Sequence, residues 1–223
     1  MSAASSILLS RVHFPVTVLG PGTRLGVWVQ GCSLACPGCM SRDTWSAVDG
    51  VRTPVADVVE MWRAARSRGA TGLTVSGGEP SEQSEQVAEL IDGIRAAAGT
   101  DDPAGDPVDV LVFTGLDEAE FRAAAPQLSS RADAAIVGRF DITRPTELMW
   151  RGSANQALVP FTALGVERYG PFRDATTSSP ALQFAVEGDR IWTVGVPRIG
   201  DLPALEKRLK AHGIVVGDVS WRP

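Results

Sequence analysis

Basic residues are in the minority: Lys plus Arg number 21 against 26 Asp plus Glu, a formal net charge of −5. A chain of that sign has no general electrostatic pull toward nucleic acid or anionic lipid, so neither is expected as a partner. Long hydrophobic runs are missing as well. No stretch reaches the roughly 18 apolar residues of a membrane span. Met1–Ser10 has neither the basic opening nor the small-residue cleavage site of a signal peptide, and a cytoplasmic chain is expected. Histidine is scarce, and the two present, His13 and His212, show no ligand or triad spacing. No P-loop, G-x-S-x-G or H-E-x-x-H pattern occurs, which leaves nucleotide-triphosphate and hydrolase mechanisms without support. Cysteine is too rare for a disulfide framework: there are three, they cannot all pair, and all lie between positions 32 and 39. Such grouping favours a metal or redox site in a reducing compartment.

What remains is an ordinary globular composition, 44% hydrophobic and 21% charged over 223 residues, sufficient for one domain or a domain with an appendage. A short apolar strand, Val27–Gln30, ends at Gly31 and delivers the cysteines. Thr53 is positioned to cap a helix opening at Pro54, with Val55, Val58, Val59 and Trp62 on one stripe and a stop at Gly69. Leu73–Ser76 reads as a strand. After Gly77, Gly78, Glu79 and Pro80, a helix capped at Ser81 carries Val87, Leu90, Ile91 and Ile94 to a stop near Gly99. A polar loop, Asp101–Pro107, leads to a strand Val108–Thr114, a short helix Asp117–Ala125 and a strand Ala132–Val137. Alternation of this kind predicts an α/β fold with a mainly parallel sheet, an open or partial (β/α) barrel, with its ligand site at the carboxyl ends of the strands. The tail predicts a β-hairpin from Leu182–Val186 and Ile191–Val196, a helix Asp201–His212 and a strand Ile214–Val219. Residues 1–179 are therefore expected to form the core, with 180–223 a C-terminal extension packed on it.

Cys32, Cys36 and Cys39 would share one helical face by spacing alone. Gly31, Pro37 and Gly38 break any such helix and make the segment a loop. Three thiols without a fourth nearby ligand suit a [4Fe-4S] cluster with one open iron; a zinc site and structural thiols are the other readings the residues allow. The glycine pair Gly77–Gly78 after a strand is a tight turn or a close approach of backbone to ligand, and Glu79 is a candidate acceptor for an ammonium. Arg151, Ser153, Asn155 and Gln156 form a polar run that either lines a pocket or is a solvated loop. Arg24 is placed to pair with a carboxylate. Trp28, Trp45 and Trp62 read as core.

The Cys-x3-Cys-x2-Cys spacing just after a predicted strand resembles the signature of the radical S-adenosylmethionine superfamily. Gly20-Pro21-Gly22-Thr23-Arg24, then Val27-Trp28-Val29-Gln30-Gly31-Cys32 and Thr44-Trp45, resemble the N-terminal half of anaerobic ribonucleotide reductase activating proteins. Ser76-Gly77-Gly78-Glu79-Pro80, Gly138-Arg139-Phe140-Asp141 and Arg151-Gly152-Ser153-Ala154-Asn155-Gln156 resemble that family's later blocks. The resemblance spans residues 14–160, about two thirds of the chain.

It implies that Cys32, Cys36 and Cys39 ligate a [4Fe-4S] cluster and that S-adenosylmethionine chelates the open iron. Gly77, Gly78 and Glu79 would face the methionine ammonium, and Gly38 and Met40 would flank the adenine. Arg151, Ser153 and Asn155 would line the cofactor or substrate pocket. The implied chemistry is one-electron cleavage of S-adenosylmethionine to a 5′-deoxyadenosyl radical, which takes hydrogen from a glycine Cα of a partner reductase. The implied partners are that protein substrate and a flavodoxin- or ferredoxin-type electron donor. Two rival readings are a related radical enzyme acting on a peptide or small molecule, and a non-catalytic cluster- or zinc-bearing regulatory module.

Overall fold

The fold is described from a computed structural model, which places residues 5–101, 106–188, 190–215 and 217. In chain order the strands and helices are β1 (Ser6–Val16), β2 (Arg24–Val29), β3 (Val51–Pro54), α1 (Val55–Arg66), β4 (Gly72–Gly77), α2 (Ser84–Asp101) and β5 (Asp109–Phe113). They continue with α3 (Glu118–Ala124), α4 (Pro126–Ser129), β6 (Ala134–Val137), β7 (Ala157–Pro160), α5 (Ala163–Tyr169), β8 (Gln183–Glu187), β9 (Arg190–Val194) and α6 (Asp201–Ala211). The main sheet runs β3-β1-β2-β4-β5-β6-β7. Its four central strands, β2, β4, β5 and β6, are mutually parallel, while β1 and β7 pair antiparallel on either side. The protein is thus α/β with a largely parallel central sheet.

Burial explains the layering. Alternate residues of the central strands, among them Val27, Leu73, Val75, Val110 and Val112, are fully buried against Val58, Trp62, Leu90, Ile91, Ile94 and Phe121 of the helices. One face of the sheet is thereby sealed by α1, α2 and α3. The opposite face carries Trp28, Leu111, Phe113 and Ile136, and is covered less completely, by Tyr169 and by Val194 of β9. The open part of that face is where a ligand has access.

Several expectations are corrected at the element ends. β1, β3 and β7 were not anticipated; Ser, Arg, His and Pro interrupt β1, so no continuous apolar run marks it, although Ile7 and Leu9 are buried. Pro54 closes β3 instead of opening a helix, and the Thr53 hydroxyl donates to the Val51 carbonyl (3.3 Å) rather than capping α1. Ser81 is not a cap: Glu79 accepts from the Ser81 amide and caps a 3-10 turn, Pro80–Gln83, that precedes α2. The expected loop Asp101–Pro107 starts within α2, and residues 102–105 lie outside the described residues. In the tail, β8 and β9 pair antiparallel, with position 189 outside the described residues. Of the expected strand Ile214–Val219, positions 214, 215 and 217 are not in a strand and the rest lie outside the described residues.

The ends of β2, β4 and β5 are held by a buried polar core. Arg24 is fully buried and donates to Thr74 Oγ1 (2.6 Å), Pro21 O (2.9 Å), Leu73 O (2.6 Å) and Tyr169 Oη (2.8 Å), with an ion pair to Asp109 (2.8 Å). This is the carboxylate partner expected for Arg24. Among the described residues no helix is long and apolar enough to cross a membrane.

Candidate active site

The cysteine loop leaves the carboxyl end of β2. Pro37 and Gly38 occupy the centre of a turn in which the Cys39 amide donates to Cys36 O (3.1 Å). Proline presets the first central residue of such a turn, and the second needs a positive φ, which Gly38 supplies at +77°. Ala35 also has a positive φ, +44°, an uncommon state for a residue with a side chain, immediately before Cys36. The local sequence thus bends the chain twice between the first and last thiol.

The segment after β4 fixes that loop in space. β4 continues past its last ladder pair: the Gly78 amide donates to Val29 O (2.8 Å) and the Glu79 amide to Gly31 O (2.8 Å). A Cβ at Gly78 would collide with the Gly31 carbonyl and stand 2.8 Å from its carbon, so this approach is open to glycine alone. Farther on, Glu82 accepts from the Ser33 amide (2.7 Å) and hydroxyl (2.6 Å), and Gln83 donates to Gln30 O (3.0 Å). Gln30 in turn donates to the carbonyls of Asp43 (2.8 Å) and Ser46 (2.7 Å), closing the loop from its far side.

Glu79 is buried, and its carboxylate is engaged by the protein. It accepts from Ser81 N (3.0 Å), Thr114 Oγ1 (2.8 Å) and Gly115 N (2.8 Å), which ties the exit of β4 to the exit of β5. Three charge-assisted bonds account for a carboxylate in so dry a place.

All these parts line one cavity of about 390 Å³ at the carboxyl ends of the parallel strands. Its lining contains Cys32, Cys36, Cys39, Gly38, Met40, Gly77, Gly78 and Glu79. Arg151, Ser153 and Asn155 are outside it. Ser153 is fully buried and its hydroxyl accepts from Asp141 N (3.1 Å), while the Asn155 amide donates to Arg139 O (2.7 Å). They brace the 138–156 segment, and of residues 151–156 it is Gly152 and Gln156 that reach the cavity. Sequence reasoning missed Phe113, Thr114, Gly115, Ile142 and Trp150, and the wall from Thr193 to Pro203 contributed by the C-terminal residues. The core reading of Trp28 and Trp62 holds, since both are buried, and Trp28 also lines the cavity; Trp45 is only half-buried and lines the cavity. The period-2 alternation of β2 contained the signal for Trp28, because Val27 and Val29 face the helices and the residue between them must face the other way.

The thiols are half-buried and unpaired. Burial pushes the Cys32 thiol above its ordinary value, against backbone bonds from Leu34 and Ala35, with Glu79 and Glu82 adding to the rise. Burial likewise pushes Cys39 up, opposed by bonds from the Ser41 backbone and Trp45. Among the described residues no three His, Cys, Asp or Glu side chains converge closely enough for a single metal ion. Three cysteine sulfurs in the lining of one cavity are the kind of donor set that an iron-sulfur cluster takes.

A chamber lined by three cysteines at the carboxyl ends of parallel strands and floored by a Gly-Gly-Glu turn is the candidate site for an iron-sulfur cluster and S-adenosylmethionine. A family model described as 4Fe-4S single cluster domain matches residues 18–159. The chain is 31% identical over 161 residues to the anaerobic ribonucleoside-triphosphate reductase-activating protein of Vibrio cholerae, covering 67% of this chain and 96% of the relative. It is 30% identical over 154 residues to the protein of that name from Escherichia coli, 66% of this chain and 94% of the relative. It is 38% identical over 100 residues to pyruvate formate-lyase-activating enzyme of Listeria monocytogenes, 40% of this chain and 39% of that enzyme. The chain belongs to the 4Fe-4S single-cluster family of radical S-adenosylmethionine activating proteins.

Proposed function

We propose that this protein is an activating enzyme that installs a glycyl radical on a large protein partner of the anaerobic ribonucleotide reductase type. The observation that carries the reading is the meeting of Cys32, Cys36 and Cys39 with Gly77–Glu79 in one cavity, inside the matched region. The three cysteines would ligate the [4Fe-4S] cluster, and the backbone of Gly77–Glu79 would receive the amino-acid end of S-adenosylmethionine, with Gly38 and Met40 beside the adenine. When bound, these groups supply one-electron cleavage of the carbon-sulfur bond and the hydrogen abstraction that follows.

The chain's own residues bind, orient and exclude water. Gly78 lets the β4 turn lie flat against the base of the cysteine loop, and Glu79 holds the β5 exit beside it through Thr114 and Gly115. Trp28, Phe113, Ile142 and Trp150 give the chamber apolar walls that keep stray hydrogen donors and water away. No acid or base is needed for hydrogen abstraction, in keeping with a chamber that has no histidine in its lining. We read the sheet as an open partial barrel, residues 180–223 as an extension packed on the 1–179 core, and the protein as cytoplasmic. A flavodoxin- or ferredoxin-type protein would deliver the electron.

Anaerobic reconstitution with iron and sulfide tests the reading. The reduced protein is expected to release 5′-deoxyadenosine from S-adenosylmethionine, and to produce a glycyl electron-spin signal in the reductase with which it co-purifies. Release of no 5′-deoxyadenosine by cluster-loaded protein would overturn it.

A further inference from the structure

Beside the chamber lies a second cavity of about 400 Å³, between residues 145–152 and residues 196–199. Both cavities are bounded by Trp150, Gly152 and the run from Val196 to Ile199, so the two share a wall. That run lies beyond the residues matched by the family model.

Arg151 lines this second cavity and is 4% exposed. One terminal nitrogen is spent on the carbonyls of Phe172 (3.4 Å) and Arg173. Its Nε and Nη1 are buried with no hydrogen-bond partner. Buried donors are nearly always satisfied, and these two are closed to solvent behind the cavity wall, so an acceptor that enters the cavity meets them once the guanidinium turns toward it. Charge points to the kind of acceptor. Asp174 acts on Arg151 with opposite charge, Arg173 adds a like charge, and Arg198 across the cavity is paired with Glu147 (3.5 Å) and bonded to Thr177 O. With carboxylates already opposing the guanidiniums, a neutral oxygen satisfies the free N–H groups. Pro145, Leu148, Val196, Pro197 and Ile199 make the remaining wall apolar.

We propose that this cavity seats the polypeptide of the protein partner next to its reacting glycine, with Arg151 donating to main-chain carbonyl oxygens of that segment. The residues common to both linings put a chain seated there beside the chamber. The inference rests on the activating-enzyme reading above, and it adds that the C-terminal residues 196–199 help select the partner.

The probe is an acetylated, amidated heptapeptide with a central glycine deuterated at Cα, titrated calorimetrically into the full chain. Arg151→Met is expected to weaken binding by at least about tenfold, and Arg198→Met by at least about threefold, which provides a second variant should the first not fold. Equal binding by wild type and the variants overturns the proposal, as does saturation by acetate without peptide binding. With dithionite as electron source, cluster-loaded wild type should transfer deuterium from the peptide Cα to 5′-deoxyadenosine. The labelled fraction, which normalises for changes in cleavage itself, should fall about tenfold in Arg151→Met. Cleavage without label in the wild type overturns the seat alone. No cleavage at all overturns the activating reading, while loss of peptide binding in the variants still supports the seat.

Discussion

The Glu79 amide donates to the Gly31 carbonyl at 2.8 Å, so the turn after β4 and the root of the cysteine loop are one hydrogen-bonded unit. The neighbouring Gly78 has no room for a Cβ against that same carbonyl, and backbone cannot give way as a flexible side chain can. Gly78→Ala is therefore expected to push the loop off its seat. Loss of about 1–3 kcal/mol of stability should accompany it, the usual cost of overpacking. Iron content and 5′-deoxyadenosine release should both drop at least about tenfold. Gly170→Ala is the control, since nothing stands within 4 Å of a Cβ there and its φ is negative. It should be neutral or gain up to about 1 kcal/mol. Urea unfolding beside iron analysis checks both.

Cys36→Ala separates ligand from scaffold. Its thiol is half-buried, while the turn it begins is held by its backbone carbonyl, which alanine retains. The cluster-free variant should unfold within about 1 kcal/mol of the wild-type chain. After reconstitution it should lack the brown chromophore and release no 5′-deoxyadenosine. Retained cleavage would remove Cys36 from the ligand set.

The features legible in the sequence were those with strong local chemistry. Pro37-Gly38 announces its turn, the 3.6-residue stripe of Val55, Val58, Val59 and Trp62 announces α1, and apolar runs before Gly31 and Gly77 announce β2 and β4. The polar run at Arg151, Ser153 and Asn155 was visible, but its direction was not. Which side of a loop faces a cavity depends on the packing of β6, β7 and the 138–156 segment against one another. The same limit hid Thr114 and Gly115, which matter because β5 stands beside β4, a tertiary fact. It also hid the 193–203 wall, since a hairpin pattern says nothing of what the hairpin covers. Glu82 and Gln83 could have been found: they follow the glycine pair by one turn, where side chains fold back over the preceding strand ends.

Glu79→Gln tests whether the carboxylate is chiefly a clamp between β4 and β5. Its two oxygens accept from three donors, Ser81 N, Thr114 Oγ1 and Gly115 N. An amide must turn its NH2 toward one of these sides, leaving donor against donor. The expected cost is about 1–3 kcal/mol, since a buried donor loses its acceptor. Thr114→Val removes one donor and leaves the carboxylate two, so it should cost less, about 1 kcal/mol. Chemical denaturation of the cluster-free proteins gives the order. A Glu79→Gln variant as stable as wild type would mean that the carboxylate carries no load in the fold.

Tyr169 is the only tyrosine in the chain, which makes its ionisation directly visible in the near-ultraviolet spectrum. Burial pushes its pKa far above the ordinary value; the Arg24 charge opposes this, while the charge of Asp109 and the bond Tyr169 donates to it add to the rise. Folded protein should therefore show no tyrosinate absorbance as pH passes about 10, where an unfolded chain ionises. The sign of the stability effect follows. Below about pH 10 the phenol is neutral in both states and its contribution is fully present. Above it the unfolded state sheds a proton that the folded state keeps, so stability falls with pH by up to about 1.4 kcal/mol per unit. Tyr169→Phe removes that slope, and the difference between the two proteins in urea unfolding at successive pH values isolates it from the other titrating groups. Tyrosinate appearing in the folded wild type near its ordinary pKa would show that the ring is not enclosed with Arg24 and Asp109, and that the sheet face beside the second cavity is open to water.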